Sequence, residues 1–132
     1  MPDQSAPTTL EQFLLRYVAT HDQVAILLWL RAHDEEPVSR RELALQLGFS
    51  DARTSEALRR LAASELIVSA DSEADSFKYV PRRPLENYVR LLAHVRSRDP
   101  GCLDRMLARN ALRRLGVYGV RPRAPVVQAY AR

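Results

Sequence analysis

At 132 residues, 46% hydrophobic and 27% charged, the chain is long enough for one domain with a core and too apolar to be disordered throughout. No apolar run approaches the roughly 20 residues a membrane helix needs, and the opening MPDQSAPTT lacks the basic and apolar regions of a signal peptide. A single cysteine excludes an internal disulfide and points to a reducing cytoplasm, while a net charge of +4 permits a polyanionic partner without requiring one.

Thr9 followed by Gln12 makes a capping box, with Thr8 and Glu11 as the alternative register. Behind it Leu10, Phe13, Leu14, Tyr17 and Val18 recur at helical spacing and predict a short amphipathic helix. Thr20 caps a second helix over about 21–33, whose centre VAILLWL is apolar on every side, as expected of a helix packed on more than one face. Pro37 breaks the chain. Ser39 with Glu42 is a second capping box, Leu43, Ala44 and Leu47 give the next helix its buried stripe, and Gly48 ends it with Phe49 as hydrophobic clasp. Ser50 then caps a helix over about 51–64. Two capped helices joined by about three residues are the helix-turn-helix signature.

Next, IVS and FKYV flank the polar stretch ADSEADS and predict a β-hairpin, ended by Pro81 and Pro84. Leu85, Tyr88, Val89, Leu92 and Val95 mark another amphipathic helix, interrupted by RDPG at 98–101. A last helix follows over about 101–115, carrying Leu103, Met106, Leu107, Ala111 and Leu115, with Gly116 as its stop. The remainder, VYGVRPRAPVVQAYAR, has no helical period and is either an extended arm or disordered.

The order helix, helix, helix, turn, helix, hairpin, helix, helix resembles the winged helix-turn-helix regulators over residues 22–80, and the flanking helices are similar to the multiple-antibiotic-resistance (MarR-like) arrangement. The resemblance implies a mainly α fold with a small β-hairpin. It divides the chain into a flexible start (1–8), a winged helix-turn-helix domain with an N-terminal helix (9–81), a helical pair (82–116) and an extended basic tail (117–132). It also implies sequence-specific binding of duplex DNA by a bacterial, cytoplasmic transcriptional regulator, with residues 51–64 as the recognition helix. The flanking helices are expected to join two copies into a homodimer, with Leu85, Tyr88, Leu92, Leu103 and Leu107 at the seam and the two recognition helices about 34 Å apart.

On a wheel of about 100° per residue, Thr54, Ala57, Leu58 and Leu61 share the buried face of that helix, and Ala52, Glu56, Arg59 and Ala63 lie opposite. Small residues allow close approach to base edges, and arginine can bond guanine in a bidentate way. Arg53, Ser55 and Arg59 are therefore the expected base contacts. Arg40, Arg41, Ser50 and Arg60 are the expected backbone contacts. Each has a plainer alternative: Ser39 and Ser50 are explained as caps, and Glu56 can pair with Arg59 and Arg60.

Charge is distributed unevenly. The basic residues are 19 arginines and Lys78. Net charge is −3 over residues 1–35, zero over 36–69, −2 over 70–80 and +9 over 81–132. The wing carries Asp71, Glu73 and Asp75, which would repel phosphate. It is either a solvated turn or a contact for a basic protein partner. Arg105, Arg109 and Arg113 form a stripe with Arg114 beside it, supplemented by Arg82, Arg83, Arg121 and Arg123. Three uses are open for them: DNA phosphates, an acidic protein, or a solvated face opposite a dimer seam. A protein-interaction module or adaptor that does not bind DNA is the alternative function.

No cofactor, metal or catalytic set is expected. His21, His33 and His94 have no ligand spacing with one another or with Cys102, and no phosphate loop or nucleophile elbow occurs. Cys102 is either a packing residue or a thiol activated by Arg98 and Arg105, and Trp29 is expected in the core.

Overall fold

The structure, a computed structural model, describes residues 7–70 and 75–116. Asp71, Glu73, Arg121, Arg123, the tail at 117–132 and most of the expected flexible start lie outside these residues.

The chain begins with α1 (Leu10–Tyr17), capped by Thr9, whose hydroxyl accepts from the Gln12 N–H at 3.1 Å. The Gln12 side chain reaches one residue further back than a simple capping box, accepting from the Thr8 N–H at 2.7 Å. The next helix, α2 (His21–Ala32), repeats the device: Thr20 accepts from the Gln23 N–H and Gln23 accepts from the Ala19 N–H. Its run from Gln23 to Leu27, together with Leu30, is buried, and it packs against later helices and the sheet, as an all-round apolar helix must.

A two-residue strand, β1 (Val38–Ser39), precedes α3 (Arg40–Leu47). Ser39 caps α3, and Gly48 leaves it at φ 71°, so the Phe49 N–H reaches the Ala44 carbonyl at 3.0 Å. Ser50 at once caps α4 (Asp51–Ala63), which buries Thr54, Ala57, Leu58 and Leu61. That helix ends on Glu65 at φ 65°, an unusual conformation for a residue with a Cβ.

The wing consists of β2 (Ile67–Ser69) and β3 (Ser76–Tyr79), paired antiparallel with Val68 opposite Lys78. β1 joins the other side of β3, with Val38 opposite Phe77, which makes a three-stranded sheet of order β1-β3-β2. Two residues give no measurable period, so β1 left no trace in the sequence pattern. A single 3-10 turn at Arg83–Leu85 leads into α5 (Glu86–Arg98), and Asp99 caps α6 (Pro100–Arg114).

α1 folds back across α5 and α6 and closes the core. Phe13 stacks on Tyr88 with ring centroids 5.4 Å apart. Glu11 is clasped by two arginines of α6: Arg109 donates to it at 2.8 and 2.9 Å and Arg113 at 2.6 Å. Buried Asn110 lies beneath, donating to the Glu11 carbonyl and accepting from Arg113. Arg114 donates to the carbonyls of Leu14 and Leu15 in the last turn of α1, the first of which also accepts from the Val18 N–H.

This closure changes two expectations. The basic stripe is not a free face, because Arg109, Arg113 and Arg114 bind α1, while Arg105 stays exposed. The residues expected at a seam between copies serve the chain's own core. Leu85, Leu92, Leu103 and Leu107 are buried, and Tyr88 is half-buried with its hydroxyl bonded to the Pro7 carbonyl at 2.5 Å. α1 shares in covering this face, since Phe13 stacks on Tyr88.

Candidate nucleic-acid interface

α4 packs on the core by its apolar side. Leu58 and Leu61 are fully buried with Leu43 of α3 and Leu27 and Leu30 of α2, while Ala52, Ser55, Glu56, Arg59 and Ala63 are open to water. The alternation of small and long side chains thus lies on a convex, accessible ridge. Ser50, at the start of the ridge, is also exposed, but its hydroxyl accepts from the Arg53 N–H.

A groove runs along each flank of the ridge. One, of about 650 Å³, lies between α2, α4 and the end of α6, and is lined by Thr20, Asp22, Arg53, Arg60, Arg114 and Leu115 among others. The other, of about 580 Å³, lies between α4 and the wing, and is lined by Arg40, Asp51, Ser55, Arg59, Asp75 and Phe77 among others. Arg53 and Arg60 therefore belong to one flank, Ser55 and Arg59 to the other, and Glu56 stands between them.

Nearly every arginine of this surface already has a carboxylate. Arg53 turns back onto α2, where Asp22 accepts two hydrogen bonds from it at 3.0 and 2.7 Å, and its guanidinium lies 4.2 Å from the centre of the Phe49 ring. The Arg53 guanidinium holds the Asp22 carboxyl below the usual carboxylate range, against the opposing effect of burial. Arg59 and Arg60 both donate to Oε2 of Glu56 at 2.9 Å, which lowers its proton affinity in the same way. Arg40 bonds Asp75 through both backbone and side chain and approaches Asp51 at 3.4 Å, tying the base of the wing to the start of α3. Arg41 is exposed and has no acidic partner among the described residues.

The structure thus brings Arg40, Ser55 and Arg59 to one groove, and Arg53 and Arg60 to the other. Pairing of Glu56 with Arg59 and Arg60 was readable from their spacing. Asp22 and Asp75 were not: they lie 31 and 35 residues from their partners, and only the crossing of α2 with α4 and the docking of the wing bring them close. Asp75 does not stand out into solvent as a free wing carboxylate, since it bonds Arg40.

Elsewhere little competes with this surface. Among the described residues no group of three or more metal-ligating side chains occurs, and no helix is long and apolar enough to cross a membrane. Trp29 is half-buried against the core and stacks on His33 at 3.8 Å, and Cys102 is half-buried in the first turn of α6.

Residues 19–76 match the sequence profile of the MarR family. No curated protein matches the chain. Among solved structures, a mutant of S. aureus MepR bound to an oligodeoxyribonucleotide is similar in fold, with a TM-score of 0.52 and 19% identity over 81% of this chain and 85% of that one.

Proposed function

We propose, from the premise that residues 19–76 form a MarR-like winged helix, that the protein is a transcriptional regulator that binds duplex DNA with α4 in the major groove. The observation that carries this reading is the outward face of α4: Ala52, Ser55 and Arg59 are exposed on a helix anchored by its opposite face. Ser55 and Arg59 meet base edges from the wing-side flank. Arg53 joins them once it exchanges Asp22 for DNA. Arg41, Arg40, Arg60 and Ser50 lie where phosphates would pass. Binding is stoichiometric, without catalysis, in the cytoplasm.

The active form is a homodimer. Leu91 and Leu112 leave apolar surface on α5 and α6 for a second copy. Sedimentation of the protein, with and without Leu91→Glu and Leu112→Glu, tests this.

The DNA reading is tested by the anisotropy of labelled duplex DNA titrated across a salt series. Binding at low salt that weakens linearly in log–log form, and a loss of at least tenfold on changing Arg53 and Arg59 to alanine, is the expected result. The absence of binding at low salt overturns it. One observation favours a protein-interaction module instead: Arg40, Arg53, Arg59 and Arg60 are all paired within the chain. That reading expects negligible DNA affinity.

A further inference from the structure

We infer that Glu56 sets the base preference of the DNA contact: its carboxylate accepts a hydrogen bond from a cytosine amine, and on other sequences it repels the duplex and holds Arg59 and Arg60 back. This rests on the DNA-binding reading above.

Three observations lead to it. Glu56 occupies the crest of α4, opposite the buried Thr54, Ala57, Leu58 and Leu61, with a half-exposed side chain (53%). Its neighbours along the crest, Ala52 and Ala63, have no reach, so Glu56 and Arg59 are the groups that project furthest. Both arginine hydrogen bonds fall on Oε2, and Oε1 receives no protein donor among the described residues.

A carboxylate carried into a duplex meets a strongly negative field and is unfavourable unless a donor is waiting for it. The major groove offers amine donors on cytosine and adenine. The adenine amine sits beside the N7 acceptor of its own base, which repels a carboxylate, whereas the neighbour of the cytosine amine on its own base is the C5–H edge. The partner guanine presents O6 and N7, the acceptors that arginine bonds in pairs. Glu56 and Arg59, already bridged at 2.9 Å, therefore offer an acceptor and a fork of donors side by side, matching the two halves of a C·G pair. Where that pair is missing, Glu56 keeps Arg59 and Arg60 from the phosphates, so the carboxylate lowers affinity for wrong sequences more than for the right one.

The experiment starts from a duplex selected by the wild-type protein out of a random pool. Affinities of wild type, Glu56→Ala and Glu56→Gln are then compared on that duplex, on versions changed one base pair at a time, and on a scrambled duplex, each over a salt series. Glu56→Ala is expected to bind the scrambled duplex about tenfold more tightly, with a salt slope steeper by about one, and to lose a preference of about tenfold at one C·G position. Glu56→Gln is expected to shift the preference at that same position towards adenine. Melting curves matching wild type establish that both surface variants are folded. The inference is overturned if Glu56→Ala keeps the wild-type preference at every position, or if its affinity for scrambled DNA does not rise. If wild type binds no duplex at low salt, the DNA-binding reading fails and this inference falls with it. That result is distinct from a wild type that binds and selects while Glu56 proves irrelevant.

Discussion

Asp22 and Arg53 meet through two hydrogen bonds of 3.0 and 2.7 Å across the crossing of α2 and α4. A guanidinium held in this way is oriented by its carboxylate and stacked on Phe49, so it cannot reach a base until it lets go. The pair is partly exposed, with side-chain accessibilities of 52% for Arg53 and 30% for Asp22, and an exposed ion pair is only weakly stabilising. Exchange for a phosphate or a guanine edge is therefore energetically open.

Asp22→Asn removes the competing charge while keeping the shape. The expected outcome is tighter DNA binding by a few-fold, with stability reduced by about 0.5–1 kcal/mol. Arg53→Ala is expected to weaken binding instead. Parallel anisotropy titrations and urea unfolding separate the two effects. An Asp22→Asn protein that binds more weakly than wild type would show that the clasp positions Arg53 for DNA and does not compete with it.

Arg41 differs from the other helix-turn-helix arginines in having no acidic partner among the described residues. Arg41→Ala is expected to weaken binding to all duplexes alike and to lower the salt slope by about one, the signature of a lost phosphate contact. A loss confined to one sequence would assign Arg41 to a base.

The Arg109 and Arg113 guanidinium groups pull the Glu11 carboxyl down to about 2 from its ordinary 4.5. Because the folded state lowers this pKa, the stabilisation is fully present above about pH 4.5 and is lost as pH falls through about 2. Glu11→Gln is expected to cost about 1–3 kcal/mol at pH 7, since it removes the carboxylate charge to which both arginines donate. Thermal melts of the two proteins are expected to differ by a constant amount down to about pH 4.5 and to converge near pH 2. Curves that converge above pH 4.5 would contradict the assignment.

Gly48 stands at φ 71°, and a Cβ built there meets nothing within 4 Å. Gly48→Ala is therefore expected to cost about 1 kcal/mol through backbone strain alone. Gly48→Asn is expected to recover part of that loss. Both are read from urea midpoints. A penalty of several kcal/mol for alanine would mean a collision that the open surroundings do not contain.

What was legible in the sequence was local. Thr9, Thr20, Ser39 and Ser50 announced four helix starts, because each cap is a bond between residues three apart. Gly48 announced the turn because a residue without a Cβ takes a positive φ at little cost. Outward Ala52, Ser55 and Arg59 followed from periodicity. The partners of Arg40 and Arg53 did not, because they depend on how helices cross and where the wing docks. The leucines of α5 and α6 were legible as a stripe, but a stripe does not say what covers it. Whether a second copy or α1 does so is decided by the chain's path.

The clasp between Glu11 and Arg109 joins positions 98 residues apart. On the ribosome α1 emerges before α5 and α6 exist, so Phe13 stays without Tyr88, its stacking partner, until those later helices are made. The winged part, built largely from nearer contacts, has no such wait. A newly made chain therefore carries α1 as a sticky segment until its later helices arrive, and that interval is when a chaperone has something to hold.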